Sequence, residues 1–158
     1  MSVNKPALDP RSVAVHSSTA YPEPYRSRVM PRDKRPLGDA LGLTRIGVNL
    51  TTLSPGKESS MCHWHTHEDE FVYVLEGELV LRCGPGEQLL TAGMCAGFAA
   101  GAEQGHQLIN RSDRPALYLE VSNRDAADTA HYSDPEVDML WSPAHARGRM
   151  TRRDGTPV

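Results

Sequence analysis

The sequence predicts an all-β fold, a sandwich or a barrel. Three observations point there. Between Leu43 and Val121, short β-rich runs recur at the spacing of about 8–12 residues usual for such folds. Gly, Pro, Asn or Asp separates each run from the next. No long hydrophobic period of 3.6 residues competes with this pattern.

Residues 1–42 read as an extended, Pro-rich N-terminal arm. Six of the 12 prolines fall by Pro36. Proline fixes φ and lacks an amide donor, so long helices and central strands are not expected there. Five basic residues lie between Arg26 and Arg35. They read as a solvated face, or as a contact to an anionic ligand or another subunit.

The strand region follows. Strands are predicted at Arg45–Leu53, Glu70–Leu75, Glu78–Cys83, Glu87–Thr91, Met94–Phe98, Gln107–Asn110 and Ala116–Val121. Turns are predicted at Ser54-Pro55-Gly56, Glu76-Gly77, Cys83–Gly86, Ala92-Gly93 and Ser112-Asp113. Residues 122–158 are polar again and read as a C-terminal strap and tail packed on the strands. Tyr132, Val137, Met139, Leu140 and Trp141 are its anchors, in a short helix or an extended strap. Asp154-Gly155 marks a turn in either a terminal hairpin or a frayed end.

Composition excludes several function classes. Lys+Arg number 17 against 20 Asp+Glu, a net charge of -3. A dedicated nucleic-acid binder carries a basic excess, and no helix-turn-helix pattern is present, so no nucleic-acid partner is expected. No run approaches the ~20 apolar residues of a membrane helix, so no membrane partner is expected. The N-terminus lacks an apolar signal region. Cys62, Cys83 and Cys95 are odd in number and without CxxC spacing, which argues for buried thiols in a reducing cytosol rather than a disulfide framework. The expected location is cytoplasmic.

Histidine is the uneven residue. Of 7, three lie within five residues at His63, His65 and His67. In a strand, side chains alternate faces, so His63 and His65 point one way and Cys62 and Trp64 the other. Two imidazoles about 7 Å apart along one face can bend towards one ion. Glu70 follows a His-Glu-Asp turn and can bring its carboxylate back to the same ion. His106 is the only histidine in the later strand region. Three imidazoles and one carboxylate suit Zn, Fe, Mn, Ni, Co or Cu better than Ca or Mg. An ion that prefers six ligands keeps positions open for water, substrate or oxygen. The spacing HxHxxxxE is expected by chance far less than once in a chain of this composition, so the motif is specific.

At these residues the chain resembles the cupin superfamily, and in particular its small single-domain bacterial members. The family's first motif is G(X)5HxH(X)3-4E(X)6G. Here Gly56 precedes six residues, then His63-Trp-His65, four residues, Glu70, six residues and Gly77. The second motif, G(X)5PxG(X)2H(X)3N, ends intact at His106-Gln-Leu-Ile-Asn110. Its PxG stands as Ala99-Ala-Gly101, with four residues before His106 instead of two. The resemblance covers residues 43–121. It implies a jelly-roll (double-stranded β-helix) barrel with a divalent transition metal near one mouth, held by His63, His65, Glu70 and His106. It also implies a homodimer, with the arm exchanged or packed on the partner.

Other residues take roles by position. His67 stands one step further on the same face if the strand runs on. It is either a candidate base beside the metal or a rim histidine in solvent. Trp64 reads as core or dimer packing. Val72 and Val74 share the face of Glu70, while Phe71, Tyr73 and Leu75 share the other. One face reads as barrel lining and the other as subunit contact. Glu68 and Asp69 read as exposed turn acids, and Asn110 as a structural amide. His131 with Asp128 and Asp134 is a minor candidate for a second site. His16 and His145 read as ordinary loop histidines.

Two function classes stay open. One is a metalloenzyme on a small oxygenated metabolite, similar to mannose-6-phosphate type isomerases or to small dioxygenases. An isomerase needs a base, from His67 or an unligated acid. The other is a non-catalytic module that binds or senses a small molecule. Fold alone does not choose between them.

Overall fold

The computed structural model describes residues 6–142 and 149–158. The predicted strands form with small changes at their ends: β2 (Ile46–Leu53), β4 (Glu70–Glu76), β5 (Glu78–Cys83), β6 (Gly86–Thr91), β7 (Cys95–Phe98), β8 (His106–Ile109) and β9 (Ala116–Asn123). The histidine motif forms the short strand β3 (His63–His65). The arm adds β1 (Arg32–Pro36), flanked by the short helices α1 (Tyr25–Val29) and α2 (Leu37–Ala40). The C-terminal segment adds β10 (Ala130–Tyr132), β11 (Leu140–Ser142) and β12 (Arg149–Thr151) rather than a helix.

These strands build two antiparallel sheets. One runs β1-β2-β9-β4-β7 and the other β12-β11-β10-β3-β8-β5-β6. β1 sits at a sheet edge, where the proline that closes it removes no ladder bond from a central strand. The core lies between the sheets. Leu53, Val72, Val74, Leu79, Leu81, Leu90, Leu108, Ala116 and Tyr118 fill it. β4 alternates as its sequence dictates. Val72 and Val74 are buried, while Phe71, Tyr73 and Leu75 are exposed.

A second apolar cluster fastens the two chain ends to the barrel. It joins Tyr21 and Val29 of the arm to Met61 and to Tyr132, Val137 and Met139 of the C-terminal segment. The Asp154-Gly155 turn is closed by Gly155 N–H to Arg152 O at 2.9 Å and Arg152 N–H to Thr156 O at 2.8 Å, so the hairpin reading holds. His145 lies outside the described residues.

Two glycines shape the site's surroundings. Gly77 joins β4 to β5 at φ 78°, a conformation that disfavours residues with a side chain. Gly105 precedes His106, and a Cβ there would stand 2.8 Å from Ser133 Cβ and 2.9 Å from Cys62 Sγ. Only a residue without a side chain lets the start of β8 approach so closely. Asn110 is fully buried and structural: its amide donates to Leu53 O at 2.8 Å and Arg114 O at 2.7 Å.

Candidate metal centre

β3 and β8 lie side by side, with His63 directly opposite His106. β4 begins at Glu70, on the facing sheet. The four residues that the motif singled out therefore meet. Glu70 Oε2 lies 2.8 Å from His106 Nε2 and 3.5 Å from Nε2 of both His63 and His65. The His63 ring centre is 5.0 Å from that of His65 and 4.8 Å from that of His106.

The far side of two imidazoles is tied down. His63 Nδ1 donates to Met61 O at 2.9 Å. His65 Nδ1 donates to Asp128 Oδ2 at 2.5 Å. A proton on Nδ1 leaves Nε2 as the lone-pair nitrogen on each ring, and both Nε2 atoms face Glu70. His106 is held differently. Phe98 stacks flat on it, with ring centres 3.6 Å apart and planes at 2°.

The donor set fits a cation. Glu70 Oε2 is buried and accepts no well-formed hydrogen bond, although three ring nitrogens surround it. His63, Glu70 and His106 offer ligand atoms that all lie within 4.8 Å of one another, and His65, which groups in the same way with Glu68 and Asp128, places its Nε2 3.5 Å from the same Glu70 oxygen. Burial alone would raise the Glu70 carboxyl. The His106 and His63 imidazoles outweigh it and hold the group well below the usual carboxylate range. Burial lowers His106, whereas on His63 the neighbouring Glu70 carboxylate overcomes burial and raises it. Ligation needs an ionised carboxylate and neutral imidazoles, so Glu70 and His106 are in the ligating form, whereas a cation would have to displace the proton that Glu70 favours on His63.

Asp128 was not legible as part of this site. It comes from the loop before β10 and is almost fully buried. Besides His65, it accepts from the amides of His67 at 2.8 Å and Glu68 at 3.2 Å. Burial would raise it, but His65 and these amides hold it below its ordinary value. The minor second site around His131 does not assemble. Ala130 and Tyr132 are buried, so alternation turns His131 outward to stack on Trp64, with ring centres 4.3 Å apart. Asp134 pairs with Arg82 at 2.6 Å.

His67 does not continue the face of His65. β3 ends at His65, because Asp128 draws the following amides into a bend. His67 is exposed, its Nδ1 2.9 Å from Thr66 Oγ1, and among the described residues it forms no hydrogen bond or ion pair with the four clustered ones. Glu68, expected as an exposed turn acid, is instead half-buried. It accepts from Asp125 N–H at 3.0 Å, and burial raises its carboxyl. Asp69 is exposed as expected.

Three cavities meet at the cluster. The first, about 340 Å³, is lined by His65, Glu68, Glu70, Phe98, Gln104 and His106 among others. The second, about 120 Å³, is lined by Arg32, Lys34, His63, Glu70, Tyr118 and Glu120 among others. The third, about 350 Å³, includes Tyr21, Arg32, Lys34, His63, His65 and Tyr132. Each cavity borders a different part of the cluster: the first lacks His63, the second lacks His65, and the third reaches His63 and His65 alone.

Comparison with known proteins agrees with this architecture. The family model described as a cupin domain matches residues 49–122. A structure from Silicibacter pomeroyi, described as a sugar phosphate isomerase from a cupin superfamily, is 42% identical with a TM-score of 0.88, covering 97% of this chain and 96% of that one. A candidate sugar phosphate isomerase from Acidithiobacillus ferrooxidans is 28% identical with a TM-score of 0.70, over 80% of each chain. The polyketide cyclase RemF from Streptomyces resistomycificus shares the fold at 16% identity and a TM-score of 0.63, over 75% of this chain and 79% of its own. Among curated proteins no match is found.

Proposed function

The chain belongs to the cupin superfamily, and on that premise we propose that it is a metal-dependent isomerase of a small sugar phosphate. His63, His65, Glu70 and His106 would hold one divalent transition ion among Zn, Fe, Mn, Ni, Co and Cu. The observation that carries this reading is the convergence of three Nε2 atoms on one buried, unbonded carboxylate oxygen at the junction of the cavities. The 42% identity to a protein described as a sugar phosphate isomerase, over nearly the whole of both chains, supports the substrate class.

When bound, such an ion would polarise a substrate carbonyl or hydroxyl as a Lewis acid. The chain's own residues do the rest. Asp128 orients His65 through Nδ1. Phe98 covers one face of His106 and keeps water from it. Aldose–ketose isomerisation moves a proton between neighbouring carbons and needs a base beside the polarised group. Glu68 takes this role in preference to His67, because Glu68 lines the same cavity as His65, Glu70 and His106 and His67 does not.

The exposed face of β4 supports a homodimer. Phe71 and Tyr73 are 41% and 37% exposed, and register sets them beside Val121 and Leu119 of β9. An apolar stripe across adjacent strands is a surface that a second copy would cover. Three cysteines without a disulfide fit a cytoplasmic location. Among the described residues, no helix is long and apolar enough to cross a membrane.

The test combines metal analysis with turnover. Protein purified without chelator should hold close to one transition ion per chain, and His106→Ala should not. Aldose and ketose phosphates should interconvert, with solvent deuterium entering at the carbon next to the carbonyl. Oxygen consumption without isomerisation would replace this reading with a dioxygenase. Ligand binding that survives metal removal, without turnover, would replace it with a non-catalytic binding module.

A further inference from the structure

The inner face of the five-stranded sheet carries charge that the metal cluster does not use. Register sets Arg32 opposite Leu53 and Lys34 opposite Thr51. Thr51 in turn lies opposite Tyr118, and Asn49 opposite Glu120. Leu53, Thr51 and Tyr118 are buried, so this row faces the barrel interior. Lys34 is satisfied there: its Nζ lies 2.6 Å from Glu120 Oε1, which also accepts from Thr51 Oγ1 at 2.5 Å.

Arg32 is not satisfied. Among the described residues its side chain makes no hydrogen bond or ion pair, and its Nε is buried without a partner. The Tyr118 hydroxyl is buried and unpartnered as well. Other cations of the same basic stretch are engaged by the protein. Arg28 pairs with Glu58 at 3.0 Å, and Arg35 donates to Val13 O. A buried guanidinium Nε without an acceptor is costly unless a ligand supplies one, and Arg32 as a whole is only half-buried, so a ligand can reach it.

Its position says where that ligand sits. Arg32 and Lys34 line both cavities that contain His63. Across these two cavities the cations Arg32 and Lys34 balance the carboxylates Glu70 and Glu120. A divalent ion on the cluster then leaves two positive charges uncompensated. A phosphate monoester carries about −1.5 to −2 at neutral pH and offers three acceptor oxygens, whereas a carboxylate carries one charge. Arginine's planar fork matches phosphate oxygens two at a time.

We propose that Arg32, flanked by Lys34, is the subsite for the phosphate group of the substrate, which places the substrate's oxygens at the metal cluster beside His63. This rests on the sugar-phosphate reading above and assigns the residues that would recognise that class. The arm thus completes the site, since β1 supplies both cations.

The experiment titrates the full chain with inorganic phosphate and with glucose 6-phosphate by calorimetry and ³¹P NMR, in metal-loaded and chelator-stripped forms. Acetate and glucose are the controls. Wild type should bind both phosphates saturably in either form, more tightly when metal-loaded because the ion adds uncompensated positive charge, and bind acetate and glucose much more weakly. Arg32→Met should weaken phosphate binding about 10- to 100-fold with metal content unchanged and the fold retained, apart from a small drop in melting temperature from the lost attraction to Glu120. Arg32→Lys should recover part of the loss. Equal binding by wild type and Arg32→Met overturns the subsite. So does phosphate binding that vanishes on stripping, which makes phosphate a ligand of the ion alone, and so does acetate binding as tight as phosphate. The two readings fail separately. Arg32-dependent phosphate binding without isomerisation removes the isomerase and leaves the subsite. Isomerisation with a KM indifferent to Arg32 does the reverse.

Discussion

Replacing Asp128 by Asn separates orientation of the metal ligands from stability of the fold. Asp128 Oδ2 accepts from His65 Nδ1 at 2.5 Å, and Oδ1 accepts from His67 N–H at 2.8 Å and Glu68 N–H at 3.2 Å. In Asp128→Asn, one oxygen remains and keeps the two amides. The new amide NH₂ then faces His65 Nδ1 and donates to it. The proton on the ring moves to Nε2, the nitrogen that faces Glu70. A protonated Nε2 cannot ligate. Loss of such an orienting partner costs about 10- to 100-fold in metal affinity, or about 1.4–2.7 kcal/mol. Asp128→Ala removes the acceptor of the amides as well. It should lower the melting temperature too, by a stability loss of about 1–3 kcal/mol. The assay is chelator competition for Zn or Co, with thermal unfolding of the metal-free proteins alongside. Asp128→Asn should bind metal more weakly at near-wild-type stability. Wild-type metal affinity in Asp128→Asn would refute the role given to His65 Nδ1. Equal destabilisation by both variants would make Asp128 a loop anchor and nothing more.

Three further outcomes are expected. Gly77→Ala should destabilise the protein by about 1–3 kcal/mol in urea unfolding, because φ is 78° and the new Cβ would stand 3.1 Å from both Ala116 Cα and Pro115 O; an unchanged midpoint would contradict it. Burial would raise Glu120, yet Lys34 and Arg32 hold its carboxyl below the ordinary 4.5. Its contribution to stability is therefore fully present above about pH 4.5 and lost as pH falls through the lower folded value. Glu120→Gln leaves Lys34 without its partner, costs about 1–3 kcal/mol at neutral pH for this partly exposed pair, and removes this share of the acid loss; parallel pH–stability curves would argue against the pair. Tyr73→Glu, on the exposed face of β4, should convert a dimer to a monomer in sedimentation velocity, and a monomeric wild type would end the dimer proposal.

Much of the barrel was legible because its signals are local. Alternation in Glu70–Leu75 and the turns around Gly77 and Gly93 depend on neighbours a few residues away, and β4 to β7 form there. The four clustered residues were legible for a similar reason. The spacing of His63, His65 and Glu70 is a property of one strand and the turn after it, and His106 is the single histidine of the later strands. His67 shows where local reasoning stops. Nothing in the spacing distinguishes a third histidine in register from one beyond a bend, and the bend is made by a carboxylate 61 residues away. Asp128 escaped for the same reason. Its nearest histidine in sequence is His131, but the histidine it bonds is 63 residues distant.

The β architecture, the inward and outward faces of β4 and the identity of the four clustered residues could be read before any fold was known. These follow from backbone periodicity and from donor types at fixed spacing. Long-range packing set which groups surround that cluster. It turned Asp128 onto His65, brought Glu68 into the cavity and left His67 outside. It also placed Arg32 and Lys34, from a stretch that reads as a solvated face or as a contact to an anionic ligand or another subunit, on the inner face of a sheet edge. The physical reason is that a buried charge is placed by partners distant along the chain. Whether a basic stretch is a wet surface or a ligand's counter-charge depends on the strand it pairs with.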